Sequence, residues 1–208
     1  MNNIYKFIII IIPIFVLGCS PNVIEEKRVT KEINSLDLNI FSRTGDKKYS
    51  ITSTHSIYDK FKNKFQFQKT TINIFQDDKT KYIIISDEST LSNNNKILEL
   101  KGNVQLKTIN QDKDYLFADY FIWNIDEANY LLTGNIKFEN KNVILTSRKA
   151  KLGSDNIIEF FNPVKYIIKD DNNEKRYETN SENAYYNIDQ ESLSFKARDK
   201  RVSSMICF

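Results

Sequence analysis

The chain has 208 residues, a formal charge of +3, 27% charged and 12% aromatic side chains, one His and two Cys. That length supports one sizeable core. With acids and bases nearly balanced, and no dense Lys/Arg stripe interleaved with aromatics, the composition excludes a nucleic-acid binder. No HExxH, CxxC, GxSxG or glycine-rich phosphate loop occurs, and His55 is the lone histidine. The sequence therefore offers no metal site, no cofactor site and no catalytic group, and reads as a non-enzyme. The carboxylate pairs Asp77-Asp78 and Asp170-Asp171 fall in polar turns and read as solvated loop tips.

The first element in chain order is an export signal over residues 1–18, with Lys6, an apolar run from Phe7 to Leu17, then Gly18. The run is too short to cross ~30 Å of hydrocarbon as a helix, and it ends in small residues of cleavage type. Val16-Leu17-Gly18-Cys19 resembles the lipobox of bacterial lipoproteins, which implies acylation of Cys19 and cleavage before it; the alternatives are an ordinary signal peptide with an incidental cysteine, or an uncleaved anchor. Two or three acyl chains hold a protein on a membrane far better than one. Ser20 to Lys31 has no apolar periodicity and reads as a tether. The expected organisation is thus a leader over 1–18, a lipidated tether over 19–32 and one folded domain over 33–208. With Cys19 acylated, Cys207 has no partner for an intramolecular disulfide.

From Ile33 onward nothing has helical periodicity, whereas short alternating runs return at a steady interval. An opening strand carries Leu36, Leu38 and Ile40 and leads into the turn Thr44-Gly45-Asp46. A repeat follows, anchored at Ser53, Ser86, Ala118, Ser147 and Ser181, with spacings of 33, 32, 29 and 34. Each anchor has a partner two residues before it (Ile51, Ile84, Leu116, Leu145, Thr179). A small or aromatic residue stands three after (Ser56, Ser89, Phe121, Ala150, Ala184), and a larger one five after (Tyr58, Leu91, Trp123, Leu152, Tyr186). Offsets of two, three and two describe a period-2 strand that gains one residue midway and bends there, as a β-bulge does.

A polar hinge of hairpin composition comes after each copy, at 59–64, 92–96, 124–129, 153–156 and 187–192. Each hinge leads into a second alternating strand. These carry Phe65 and Phe67 then Ile72 and Ile74; Leu98 and Leu100 then Val104 and Leu106; Tyr130 and Leu132 then Ile136 and Phe138; Ile158 and Phe160 then Val164 and Tyr166; and finally Leu193 and Phe195. Gly102-Asn103, Gly134-Asn135 and Asn162-Pro163 mark expected bends midway. Five bent hairpins stacked edge to edge give two sheets that face each other across a crease.

The pattern resembles the LptC family, the membrane-anchored member of the lipopolysaccharide-transport bridge, related in fold to LptA and to part of LptD. The resemblance covers roughly Leu36 to Val202. It is carried by the opening strand with Arg43 to Tyr49, the frame from Ser53 to Tyr58, and the stretch Leu98 to Val104 echoed at Leu132 to Ile136. Family members often use a transmembrane helix where this chain has the lipobox. The resemblance implies an all-β, open, twisted β-jellyroll whose groove holds the acyl chains of lipid A and hands lipopolysaccharide from an inner-membrane ABC transporter to LptA. It places the protein at the periplasmic face of the inner membrane.

Groove candidates are Phe65, Phe67, Leu98, Leu100, Val104, Trp123, Leu132, Ile136, Phe160 and Tyr166, and plain core packing is the competing reading for each. The resemblance also implies that an amino-terminal edge (Leu36, Leu38, Ile40) meets LptF or LptG, and that a carboxy-terminal edge (Leu193, Phe195) meets LptA. Unpaired strand edges are natural sites of strand addition, although Lys196, Arg198, Asp199, Lys200 and Arg201 are placed to blunt the second one. The alternative is a structural or adhesive β-repeat lipoprotein with a closed core and no lipid cargo.

Overall fold

The computed structural model describes residues 30–92, 94–109, 114–140, 143–161, 163–169, 175–196 and 203–206. The leader, Cys19 and Cys207 lie outside them. The described residues form fourteen strands of one antiparallel sheet. The strands are β1 (Thr30–Phe41), β2 (Lys47–Asp59), β3 (Lys64–Gln76), β4 (Lys79–Ser92), β5 (Ile97–Thr108), β6 (Tyr115–Asn124) and β7 (Asn129–Glu139). They continue as β8 (Val143–Leu152), β9 (Ile157–Phe161), β10 (Val164–Lys169), β11 (Lys175–Ser181), β12 (Asn183–Asn187), β13 (Ser192–Lys196) and β14 (Ser203–Ile206). From β1 to β8 each strand pairs with the next, as stacked hairpins require.

Past β8 the sheet splits: β10, β11 and β14 continue from the first half of β8, while β9, β12 and β13 continue from its second half. The pairs β9–β10 and β11–β12 therefore act as halves of bent strands, with β13 beside β12 and β14 beside β11. Proline cannot continue a central ladder, and Pro163 stands between β9 and β10. Asn162 lies outside the described residues.

Every long strand crosses from one layer to the other at its middle. The first layer holds residues such as 47–53, 70–76, 79–86 and 104–108, and the second holds 55–59, 64–68, 88–92 and 97–101. The ladder loses register along the line between them, at Ile85/Glu88, Lys101/Val104, Phe117/Tyr120 and Thr133/Ile136. This is the expected crease, with one difference. At the corner β4 advances three residues, from Ser86 to Ser89, while β5 advances four, from Leu100 to Val104, so the surplus residue sits on the Gly-Asn strands and not on the anchor strands. The left-handed backbone explains the choice: φ is +75° and +46° at Gly102-Asn103, and +72° and +41° at Gly134-Asn135.

Two side-chain clasps brace these corners. Asn103 Nδ2 donates to Asp87 Oδ2 at 2.8 Å, and Asn135 Nδ2 donates to Asp119 Oδ2 at 2.8 Å, each across sixteen residues of sequence. The glycines are needed for the same reason, since a Cβ on Gly102 or Gly134 would stand 2.8 or 2.5 Å from the same aspartate oxygen. Ser53 supports its corner differently, its single hydroxyl proton shared between the carbonyls of His55 and Gln68 at 2.7 and 2.8 Å. Ser147 and Ser181 repeat the first of these contacts, to Lys149 and Asn183.

The repeat frame falls on the interior as its spacing requires. Of its positions only Ser181 and Tyr58 are half-buried; they belong to the last and first copies, where the stack ends. One boundary differs from the sequence reading. The ladder begins at Thr30, with Thr30, Lys31 and Glu32 paired to Asp59, Tyr58 and Ile57, so the last residues of the expected tether are strand. An edge strand needs only backbone pairing, which apolar periodicity does not report.

Candidate functional site

The ten groove candidates come together on the inward faces of the two layers. Phe67, Leu98, Leu100, Val104, Trp123, Leu132, Ile136 and Phe160 are at most 4% exposed and join one apolar cluster. Phe65 and Tyr166 are half-buried against it. The layers touch directly: Tyr49 meets Trp123 edge-on at 5.0 Å, Tyr82 meets Tyr130 at 6.4 Å, Phe138 meets Tyr186 at 4.4 Å, and Tyr166 meets Phe195 at 5.2 Å. Each pair joins a first-layer strand to a second-layer strand further along the chain. The sheets are closed on each other, and their middle holds packed side chains.

The ends of the stack are different. At the amino-terminal end Leu36, Leu38, Ile40 and Phe65 point inward but stay half-buried, and Phe65 stacks on Tyr58 at 4.5 Å. Tyr166, Leu193 and Phe195 do the same at the carboxy-terminal end. Among the described residues β1 pairs only with β2, and β13 only with β12, so both expected edge strands present an unpaired side. The carboxy-terminal edge is divided, with β13 in the second layer and β14 in the first, where β14 pairs with β11. Of the charges expected to blunt it, Lys196 is in β13; Arg198, Asp199, Lys200 and Arg201 lie outside the described residues.

A polar seam runs along the rims opposite the crease, and the sequence did not single it out. Asn156, in the turn between β8 and β9, accepts on Oδ1 from Lys81 Nζ at 2.7 Å and from the Tyr82 hydroxyl at 3.0 Å. Its Nδ2 donates to Asp189 Oδ2 at 2.9 Å. Further along, the Tyr186 hydroxyl donates to Asp114 Oδ2 at 3.1 Å. Burial pushes the Tyr49 and Tyr130 hydroxyls up to about 12 and raises those of Tyr82 and Tyr186 as well. Lys81 is pulled down by burial, against the opposing pull of Asp189 and Asp77. A cleft of about 610 Å³ opens beside this cluster, between Lys79, Tyr82, Ile109, Ile188 and Glu191.

His55 takes a structural position, its Nδ1 3.2 Å from Asn34 Oδ1 at the crease. No group of three metal-ligating side chains occurs among the described residues. Nor does any helix there have the length and apolarity to cross a membrane. The arrangement offers apolar shelter and strand edges.

The family model for lipopolysaccharide assembly, LptC-related, matches residues 18–128, more than half of the chain. The chain belongs to the LptC-related family. Membership gives this LptC-family protein a role in lipopolysaccharide transport, alongside the other proteins of that system. No curated protein matches the sequence significantly. Among solved structures, the crystal structure of LptH, the LptA homologous periplasmic component of the conserved lipopolysaccharide transport device from Pseudomonas aeruginosa, has 7% identity and a TM-score of 0.44. The match covers 76% of this chain and 94% of that one. The bent-strand plan continues in this chain through β13, well past the matched residues.

Proposed function

We propose that this LptC-family protein is a lipid-anchored component of the lipopolysaccharide-transport bridge at the periplasmic face of the inner membrane. Acylated Cys19 keeps it beside the transporter. Its interior shelters lipid A acyl chains, the edge of β1 with Leu36, Leu38 and Ile40 takes a strand from LptF or LptG, and the edge with Leu193 and Phe195 takes one from LptA. The protein receives lipopolysaccharide from the ABC transporter and passes it on without chemistry of its own.

The observation that carries this reading is the inward apolar face, which runs from Leu36 and Phe65 at one end to Tyr166 and Phe195 at the other and emerges half-exposed at both. Removing an acyl chain from water contributes ~0.8 kcal/mol per methylene, enough to hold a chain at an end that is already partly open. Unpaired edges at both ends support strand addition as the joining mode. A second reading, a structural β-repeat lipoprotein with no cargo, draws on the closed packing of Leu98, Leu100, Leu132 and their neighbours. Depletion separates them. The transport reading expects lipopolysaccharide to accumulate at the inner membrane when the protein is withdrawn, and normal delivery to the outer membrane would refute it. A Cys19→Ser variant should leave the membrane fraction; its retention there would remove the lipid anchor from the account.

A further inference from the structure

We propose that Lys81, Tyr82 and Asn156 form a latch that fastens the rims of the two sheets, and that its release lets the sheets part about the crease to admit an acyl chain from the side. The admission of lipid rests on the function proposed above; the latch itself does not.

The interior is sealed in its middle, with Leu98, Leu100 and Leu132 fully buried, so cargo that enters there needs the layers to separate. One long side cannot separate, because the strands run continuously through the crease. Along the other side the described turns of the two layers meet through side chains. There Asn156, from the second layer, takes two donors from the first, Lys81 Nζ and the Tyr82 hydroxyl. Its place at a left-handed turn position, φ +60°, aims the amide across the seam.

Three features make this joint a releasable one. Its bonds are polar and exchangeable with water, unlike the apolar packing beneath. The lysine bonds directly to a neutral amide oxygen, with Asp189 and Asp77 acting on it at longer range, so the joint is a charge-assisted hydrogen bond of modest net strength. The adjacent cleft of about 610 Å³ leaves the rims unpacked beside it, so water reaches the joint without the core being disturbed.

Trp123, the only tryptophan, reports the seam: it stacks on Tyr130 at 5.5 Å, and Tyr130 meets Tyr82 edge-on. The test is acrylamide quenching of Trp123 in the full chain for Asn156→Gly, which keeps the turn backbone, and for Tyr82→Phe, which removes only a hydroxyl. The control is Asn95→Gly, at another left-handed turn position. Deleting the two Asn156 bonds that cross the seam should raise the open population roughly thirtyfold, about 1 kcal/mol for each bond. Quenching should rise with it while near-ultraviolet circular dichroism stays native, and the control should behave as wild type. Quenching unchanged in a folded Asn156→Gly protein overturns the latch; if that variant fails to fold, unchanged quenching in Tyr82→Phe overturns it. A photoprobe at Leu100 separates the two proposals: raised quenching with no gain in captured lipopolysaccharide supports the latch and counts against the lipid reading.

Discussion

Gly134→Ala probes the crease, where a bend, a hydrogen bond and a close approach depend on one residue. Its φ of +72° costs an alanine about 1–2 kcal/mol. The new methyl would also stand 2.5 Å from Asp119 Oδ2 and 2.9 Å from Asp119 Cβ. The Cβ is not the free end of a flexible chain, so Asp119 must move and give up its bond from Asn135, a further ~0.5–1.5 kcal/mol. The whole change is roughly 1.5–3.5 kcal/mol, which for a chain of this size lowers Tm by about 3–14 °C. Gly45→Ala is the control, because φ is +97° there but nothing lies within 4 Å of the added carbon; it should show the backbone part alone. Urea unfolding of both, combined with Asp119→Ala in a double-mutant cycle, isolates the contact. The double variant should be more stable than the sum of the single changes by about 1 kcal/mol. Equal effects at Gly134 and Gly45, with strict additivity against Asp119→Ala, would refute the clasp.

Other perturbations test the interior and the seam. Leu132→Ala should destabilise by about 2–5 kcal/mol in urea unfolding, since the site is fully buried between the layers; a loss below ~1 kcal/mol would mean that the interior is loosely packed. Ser53→Ala removes a hydroxyl that bridges two carbonyls at its corner and should cost about 1–2 kcal/mol by the same assay. Tyr130 is held neutral, its folded-state value near 12 lying above the unfolded value near 10. Its contribution is therefore intact below pH ~10 and lost as pH rises toward 12. Tyr130→Phe should flatten part of the alkaline fall in stability followed by circular dichroism, and an unchanged profile would refute this assignment.

The repeat was legible because alternation survives bending. The inward positions before and after each corner, such as Ile84, Ser86, Ser89 and Leu91, remain apolar or small whichever strand carries the extra residue, so spacing alone located the crease. The clasp had a signal as well: Asp87 and Asp119 each follow an anchor, and Gly102-Asn103 and Gly134-Asn135 stand at the same offset beyond them. Two copies in a sequence rich in Asp and Asn do not distinguish themselves from turn composition. The seam was not legible. Asn156 looks like any turn asparagine, and its partners Lys81 and Tyr82 are brought to it by the stagger between layers, which links strands more than seventy residues apart. Nor did periodicity separate a groove from a core, because the same apolar face serves both and only the distance between the sheets decides.

The central claim is that this interior takes up lipid, and the direct measurement is photocross-linking in cells with a probe residue at Phe67 or Leu100, against outward controls at Gln66 and Glu99. The account predicts lipopolysaccharide adducts at the inward positions, stronger when Asn156→Gly is present, and none at the outward pair. A folded, membrane-associated protein that yields no adduct at any inward position would contradict it.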